Sequence, residues 1–257
     1  MTETKKPLIL ISNDDGISAK GINELIAGIR SLGEIVVIAP DGARSGMSSA
    51  ISSMNPIRLN LIRQEPDLTI YSCSGTPVDC VKLGTNEILD RIPDLIISGI
   101  NHGSNSAICV IYSGTVGAAL EGTILGVPSF AVSLCDHSPD ADFSQAVKYA
   151  RLVAEKILKE GMPKGVCFNL NVPKDEVKGL KIATQTPGYW WKEFQAAQDP
   201  FHRTVYWLTG EFFNEDPDNT GNDEAVLNQN YAALVPIQLD MTAHHIIPQL
   251  KDYEQIT

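Results

Sequence analysis

The chain has 257 residues, of which 43% are hydrophobic and 20% are charged, and this composition is typical of a globular protein. It contains 20 Lys and Arg against 31 Asp and Glu, which gives a net charge of −11. This balance argues against a nucleic-acid duplex or an anionic membrane as a partner, because binding either one needs a basic surface. It does not exclude a small anion held beside a metal ion, since a divalent cation reverses the local field.

Cysteine usage and the N-terminal residues indicate the compartment. The five cysteines form no Cys-x-x-Cys pair and are expected to be buried free thiols: Cys73, Cys80, Cys109, Cys135 and Cys167. The first residues, MTETKKP, lack the apolar region of a signal peptide, and no run of about 18 apolar residues occurs. We therefore expect a cytoplasmic location.

The first forty residues predict a βαβ unit. LILIS, at Leu8–Ser12, indicates a buried strand, and Glu34–Pro40 indicates a second one. Between them, apolar residues recur at helical spacing until Gly33: Ile22, Leu25, Ile26, Ile29 and Leu32. A strand, a helix and a strand within about 30 residues imply a parallel sheet.

The middle of the chain continues this alternation. Residues 57–62 and 69–74 suggest a hairpin or an edge pair, and a helix then begins with Thr76 as its N-cap. Pro77 suits the first helical position, and Asp79 completes the spacing of a capping box. The later segments predict, in order, strand, helix, strand, helix, strand and strand: DLIISG, SGTVGAALEGTILG, VPSFAVSL, the residues after Phe143, VCFNLNVP and LKIATQT. We therefore predict a three-layer α/β domain over residues 1–185.

Residues 186–257 have a different sequence pattern. All three tryptophans lie in a stretch that reads as a long aromatic hairpin, and Asn214–Ala225 reads as an acidic loop. A strand, ALVPIQ, and a C-terminal helix near 243–253 follow, with His244 and His245 expected to pack in that helix. A projecting hairpin cannot bury both of its faces alone, so we expect it to pack against another subunit. The alternative is a cover for the sheet edge of its own chain.

Three polar loops follow predicted strands and should meet at one edge of the sheet. They offer Asp14 and Asp15, then Ser45, then Asn101 and Asn105. Carboxylate, hydroxyl and amide oxygens favour Mg²⁺, Mn²⁺ or Ca²⁺ over zinc. The alternative is structural, because Asp-Asp-Gly is also a common turn and either aspartate would serve as a helix cap.

The segment SGTVGAALEG adds an anion site. Ser113, Gly114 and Thr115 stand where a helix begins, with free N–H groups and the positive end of the helix dipole. Beside a divalent cation the natural anion is a phosphate. The competing interpretation is a simple N-cap formed by Ser113 or Thr115.

Several familiar motifs are absent. The chain lacks a dinucleotide-binding Gly-x-Gly-x-x-Gly after the first strand and a Walker P-loop. After that strand, Asp14 and Asp15 are adjacent and so do not form the Asp-x-Asp of haloacid-dehalogenase phosphatases, and Ile111 occupies the first Gly position of a serine-hydrolase Gly-x-Ser-x-Gly around Ser113. His102 lies in the Asn-rich loop, where it either donates to a phosphate or is an exposed loop residue.

Six motifs together resemble the stationary-phase survival protein SurE family. They are ILISNDDGISAKGI, APDGARSGMSSAIS, SGTPVDCVKLG, PDLIISGINHGSN, VIYSGTVGAALEGTILGVPSFAVSL and FNLNVP. The similarity continues through DPFHRTVYWLTG and GNDEAVLNQNYAALVPIQLDMTAH, so that it covers nearly the whole chain.

The resemblance implies a metal-dependent phosphatase that hydrolyses nucleoside 5′-monophosphates, with 3′-monophosphates and polyphosphate as further substrates. It implies a Rossmann-like domain and a smaller C-terminal part used to assemble a homodimer or homotetramer. One divalent cation per subunit, Mg²⁺ or Mn²⁺, would be held by four residues: Asp14, Asp15, Ser45 and Asn101. Phosphate would bind near Asn105 and Ser113–Gly114–Thr115.

The sequence departs from the family pattern in two places near the site. Ser-Ala-Ile-Cys stands between Asn105 and Val110, where Gly and acidic residues are frequent, and Ser49 stands where an Asn is familiar. We expect either Asp14 or Asp15 to accept the proton of the attacking water. Two other hypotheses stay open from the sequence: a non-catalytic nucleotide- or metal-binding module that uses the same pocket, and an α/β enzyme that acts on a nucleotide-sugar.

Overall fold

A nine-stranded sheet forms the centre of the protein in the computed structural model, which describes residues 6–256. The strands of this sheet are β1 (Leu8–Ser12), β2 (Glu34–Pro40), β3 (Leu59–Glu65), β4 (Leu68–Cys73), β5 (Leu95–His102), β6 (Ser129–Cys135), β7 (Val166–Pro173), β8 (Leu180–Ile182) and β13 (Ala232–Gln238). Four more strands build a projecting hairpin: β9 (Gly188–Trp191), β10 (Phe194–Gln198), β11 (Thr204–Leu208) and β12 (Glu211–Asn214).

Six α-helices accompany the strands in the described residues. They are α1 (Lys20–Ile29), α2 (Pro77–Leu83), α3 (Cys109–Tyr112), α4 (Gly114–Ile124), α5 (Ser144–Glu160) and α6 (Asp223–Asn228). A π-helical turn, Gly84–Ile88, continues α2, and a 3-10 helix covers Ile247–Gln255. None of the helices within residues 6–256 is long and apolar enough to cross a bilayer.

The strand order is β3-β4-β2-β1-β5-β6-β7-β13-β8. Parallel pairing runs from β4 through β2, β1, β5 and β6 to β7, while β3 and β13 are antiparallel to their neighbours β4 and β7. The order reverses between β1 and β5, so the carboxyl ends of these two strands form the topological switch point at which doubly wound sheets bind ligands.

The core confirms the three-layer α/β/α prediction. Ile9 and Ile11 of β1 face the layer of α1 and α5, whereas Leu8 and Leu10 face the layer of α2 and α4. Because β1 is covered on both sides, its residues form a continuous apolar run rather than an alternating one. The predicted apolar positions of α1 are buried at its inner face: Ile22, Leu25, Ile26 and Ile29.

The start of α2 confirms the predicted capping box. Thr76 Oγ1 accepts from the Asp79 N–H at 3.1 Å, and Asp79 Oδ2 accepts from the Thr76 N–H at 2.8 Å. Asp79 also accepts from the Ser52 N–H, at 3.1 Å to Oδ1. One carboxylate therefore joins the helix start to the loop after β2.

The C-terminal region contains the predicted long hairpin, in which β9 pairs with β12 and β10 pairs with β11. β13, from the same region, enters the main sheet beside β7. The helix predicted near 243–253 is present as a 3-10 helix over Ile247–Gln255, so its start lies four residues later than predicted. His244 precedes the helix, in a turn where its Nε2 lies 2.6 Å from Asp240 Oδ2.

Asp79→Asn should lower the free energy of unfolding by about 1 kcal/mol at pH 7, because the cap would lose its charged acceptor. Burial raises the pKa of Asp79, but the hydrogen bonds from Ser52 and Thr76 lower it by more, so that it lies below its ordinary value. A depressed pKa contributes stability above the unfolded-state pKa of about 3.9, and this stability is lost as the pH falls through the folded-state value.

The difference between wild type and Asp79→Asn should therefore shrink below about pH 4. Urea titrations at pH 7 and in mild acid measure it, with Asp90→Asn at an exposed site as the matched control. A pH-independent difference would contradict the assigned role of the carboxylate.

Candidate active site

The candidate site lies at the carboxyl ends of β1 and β5. Asp14 and Asp15 follow β1 after a single residue, Asn13, and Asn101 lies near the end of β5. The register of β5 against β6 shifts between Ser98 and Asn101, which marks a bulge. A bulge turns the following side chains away from the regular alternation, and bulges are frequent beside functional sites.

Asp14 is a buried carboxylate at the start of α4. Thr115 Oγ1 donates to Asp14 Oδ1, and the Thr115 N–H also reaches the same carboxyl group. Burial raises the pKa of Asp14 to about 6, the Thr115 hydrogen bonds lower it, and the charge of Asp15 raises it further. The loop after β2 is fixed here as well, because the Arg44 N–H donates to the Asp14 carbonyl at 2.7 Å.

Gly114 allows α4 to begin directly against this carboxylate. A Cβ at position 114 would lie 2.9 Å from Asp14 Cβ and 3.1 Å from Asp14 Oδ2. Real Cβ atoms essentially never approach another atom more closely than 3.0 Å. The glycine is therefore required by the close approach of Asp14 rather than by its own backbone dihedral angles.

Asp15 is less buried than Asp14 and faces the loop after β5. Its Oδ2 accepts from the His102 N–H at 3.0 Å. Burial raises the pKa of Asp15, and the His102 N–H lowers it by less. Within residues 6–256, neither Asp14 nor Asp15 forms an ion pair with a Lys or Arg side chain.

Asn101 presents its amide oxygen to the same cluster. Its Nδ2 donates to the Gly103 carbonyl at 2.8 Å, which orients the amide, and its Oδ1 lies 3.3 Å from Thr115 Oγ1. Thr115 therefore contacts both Asp14 and Asn101. The ring of His102 points elsewhere, since its Nε2 lies 2.6 Å from the Ser138 carbonyl and the ring packs edge-on against Phe143.

In the described residues, two predicted residues make no side-chain hydrogen bond to this cluster. Ser45 is exposed in the loop after β2, next to Arg44. Asn105 is buried and turned inward, where its Nδ2 donates to Ser133 Oγ at 2.9 Å. The side-chain amide of Asn105 is thus held by β6.

Sequence reasoning missed the residues that hold the Asn105 peptide group. Asn171 Oδ1 accepts from the Asn105 N–H at 2.8 Å, and Asn169 Nδ2 donates to the Asn105 carbonyl at 2.8 Å. Both are buried in β7. The signal was present in FNLNVP, because amide side chains inside a buried strand need internal partners.

The first residues of α4 place hydrogen-bond donors next to Asp14. Ser113 Oγ accepts from the Val116 N–H at 3.1 Å, so Ser113 is the N-cap. The Thr115 N–H, by contrast, points at the carboxyl group of Asp14. Ser113, Gly114 and Thr115 therefore form a helix start at which an anion is stabilised by the dipole.

The donor set fits a hard divalent cation. No group of three His, Cys, Asp or Glu side chains suited to a metal ion occurs in the part of the chain that the structure describes. A cation at this edge would therefore rely on two carboxylates together with neutral oxygens, which is the set that Mg²⁺ or Mn²⁺ accepts. Two neighbouring carboxylates without a basic partner leave a negative charge that such an ion would compensate.

Comparisons with known proteins agree with this architecture. The family model for Survival protein SurE matches residues 9–192, which include every site residue named above from Asp14 to Asn171. The chain belongs to the SurE family. The family resemblance and the Rossmann-like fold class expected from the motifs are thereby confirmed.

Individual members of the SurE family are similar over nearly their full length. A protein of Bacteroides fragilis named 5′-nucleotidase SurE is 50% identical over 253 residues, covering 98% of this chain and 99% of that one. A protein of the same name from Phocaeicola vulgatus is 48% identical and covers 97% of each chain. The crystal structure of the SurE protein from Aquifex aeolicus superimposes with a TM-score of 0.84 at 34% identity, covering 96% of this chain and 100% of that one.

Gly114→Ala should lower the free energy of unfolding by about 1–3 kcal/mol, because the added methyl group meets Asp14. The same substitution in an open helix would instead stabilise it by about 0.5–1 kcal/mol. Gly42→Ala is the matched control, since a Cβ at position 42 has no atom within 4 Å. Chemical denaturation of both variants measures the contrast, and equal stabilities would show that α4 does not begin in contact with Asp14.

Proposed function

We propose that this chain hydrolyses nucleoside 5′-monophosphates to nucleoside and inorganic phosphate in a reaction that depends on a divalent metal ion. The relatives that match 97–99% of their own length carry the name 5′-nucleotidase SurE. The observation that carries the proposal is the meeting of two adjacent carboxylates with the N-terminus of α4. A cation site beside an anion site is what a phosphate monoester requires.

The cation belongs to the finer part of this proposal. One divalent ion per subunit, Mg²⁺ or Mn²⁺, would be held by Asp14, Asp15 and Asn101, with Ser45 contributed by the loop that Arg44 ties to Asp14. When bound, such an ion supplies Lewis-acid polarisation of a phosphoryl oxygen and makes water a stronger nucleophile.

The phosphate group is assigned to the start of α4. Thr115 is engaged with Asp14, so the N–H of Gly114 and the hydroxyl of Ser113, whose oxygen accepts from Val116, would stabilise negative charge as it grows on the phosphoryl oxygens. Asn105 stays in the proposal as a residue that shapes the adjoining loop, since its amide donates to Ser133 and its peptide group is held by Asn169 and Asn171.

Asp15 is the better candidate for the proton acceptor. Asp14 is 3% exposed and receives both donors of Thr115. Asp15 is only partly buried, and its Oδ2 accepts from His102, which leaves Oδ1 without a hydrogen bond within residues 6–256. A general base needs an oxygen that reaches the attacking water, and Asp15 offers one.

The deciding experiment measures phosphate release from AMP and GMP with Mg²⁺ or Mn²⁺, before and after chelation. Turnover that is lost with a chelator and restored by excess metal is the expected result. Tight nucleotide binding without release would contradict the proposal. Adding 3′-AMP and polyphosphate to the same assay measures how far the activity extends beyond 5′-monophosphates. We assign the reaction to the cytoplasm.

Within that assay, Asp15→Asn should reduce kcat at least about a hundredfold, because an amide cannot accept the proton. The matched control is Asp140→Asn, an exposed acid in the loop after β6. Circular dichroism checks that both variants are folded. Wild-type turnover in Asp15→Asn would remove this residue from the mechanism.

Self-association is a separate part of the proposal. We propose that residues 1–185 carry the chemistry and that, within 186–257, the hairpin β9–β12 mediates a homodimer or homotetramer. Its outer strands expose large apolar side chains: Phe194 at 67%, Tyr206 at 68%, Trp207 at 66% and Leu208 at 72%. An exposed apolar patch of this kind marks an interaction surface.

Trp207→Glu should shift the protein towards smaller species, because a charge on this exposed part of the hairpin would have to be desolvated on association. Light scattering coupled to size-exclusion chromatography measures the molar mass across a dilution series. Ile62→Glu is the control, since Ile62 is 60% exposed on β3 at the opposite edge of the sheet. An unchanged mass for Trp207→Glu, or an equal shift for both variants, would contradict the role of the hairpin.

A further inference from the structure

A second cleft, of about 270 Å³, lies along the same edge of the sheet. Its floor contains Cys135 at the end of β6 and Pro173 at the end of β7, which pair with each other. Glu224 and Leu227 of α6 form one wall, and Ser104 from the loop after β5 forms another. The cleft therefore begins at Ser104, three residues after Asn101.

The spacing of the strands fixes how far the cleft is from the candidate active site. Asn101 belongs to β5, and the floor of the cleft belongs to the next two strands, β6 and β7. Neighbouring strands are about 4.8 Å apart, so the cleft lies about 5–10 Å along the edge from Asn101. This is the separation between the phosphate and the base of a nucleoside monophosphate.

Glu224 supplies the polar chemistry of this cleft. Ser106 Oγ donates to Glu224 Oε1, which fixes the carboxyl group against the loop that also carries Asn105. Burial raises the pKa of Glu224, the Ser106 hydrogen bond lowers it and the charge of Asp223 raises it, with a net shift upward. Lys174 and Asp175 line the cleft with opposite charges and are exposed, so the partly buried carboxyl group of Glu224 is its main fixed acceptor.

The walls suit a planar group. Leu227 and Pro173 contribute apolar surface, while Asn228 and Asn230 contribute further polar atoms. An aromatic ring would therefore find apolar contacts together with a hydrogen-bonding edge, which is the usual composition of a small-molecule site.

We propose that this cleft binds the base of the substrate and that Glu224 selects guanine, an inference that rests on the proposed nucleotidase activity. Guanine alone among the common bases presents two adjacent N–H donors on its Watson–Crick edge, from N1 and from the exocyclic amine. An ionised carboxylate only accepts hydrogen bonds, and its two oxygens accept such a pair. Adenine presents one donor beside one acceptor, so its ring nitrogen would face an acceptor.

The test compares kcat/KM for GMP and AMP, with ribose 5-phosphate as a substrate that has no base. The wild-type protein should prefer GMP by about tenfold or more, as a bidentate contact does elsewhere. In Glu224→Gln the ratio should fall by a similar factor, because the amide offers one acceptor and one donor and so matches adenine better. Ser106 still finds an acceptor in the glutamine, which preserves the local fold.

Glu176→Gln is the matched control, since it removes the same charge from an exposed position near Asp175 at the cleft. Its GMP/AMP ratio should stay within about twofold of wild type, because surface charges are screened. Equal wild-type rates for GMP and AMP would overturn the inference. So would an equal loss with all three substrates in Glu224→Gln, which would assign Glu224 to holding the Ser106 loop. Absence of phosphate release from every substrate by the wild-type protein would instead contradict the proposed function itself.

Discussion

The burial of two neighbouring carboxylates without a basic partner dominates the electrostatics at the end of β1. Burial and the charge of Asp15 together raise the pKa of Asp14 to about 6, even though both donors of Thr115 act against that shift. No Lys or Arg ion pair in the described part of the chain relieves the pair. The fold compensates only in part, with the start of α4 for Asp14 and a single N–H of His102 for Asp15. What is left over is the negative charge that a cation at this edge would balance.

The rest of the sheet edge supports this arrangement by fixing backbone rather than by adding charge. The Arg44 N–H joins the loop after β2 to Asp14, and the capping carboxylate of Asp79 joins that same loop to α2. Pro77 of α2 in turn lies close to Gly114, 3.3 Å from where a Cβ would be. Backbone hydrogen bonds position groups without flexible side chains, so the site is held before any ligand binds. Such preorganisation lets the donors act on a transition state without moving.

The parts of the fold that depend on local patterns were predictable. The apolar run of β1, the helical spacing of α1 and the capping box at Thr76 each need only a few neighbouring residues, and the structure confirms all three. The meeting of Asp14 with the start of α4 was predictable in outline, because parallel strands end at one edge. The inward turn of Asn105 was not, since it depends on side chains of β6 and β7 that are 28 to 66 residues away in sequence.

The C-terminal region shows the same division. Alternating aromatic residues predicted the hairpin, but the contact of Glu224 with Ser106 spans 118 residues and could not be predicted from local patterns. The resemblance to the SurE family did not predict that contact either, because the resemblance rests on short motifs. The cleft is formed by segments that are distant in sequence and meet only in the folded chain.

The projecting hairpin leaves the body of the protein and returns to it at nearly one point. The Glu215 N–H donates to the Pro187 carbonyl at 3.0 Å, and Gly188 pairs with Asn214 directly above it. The projecting hairpin is therefore closed by hydrogen bonds at its own base, and the strands of the main sheet do not fix its length. A change in the length or composition of this hairpin therefore need not alter the edge of the sheet that carries Asp14 and Asp15.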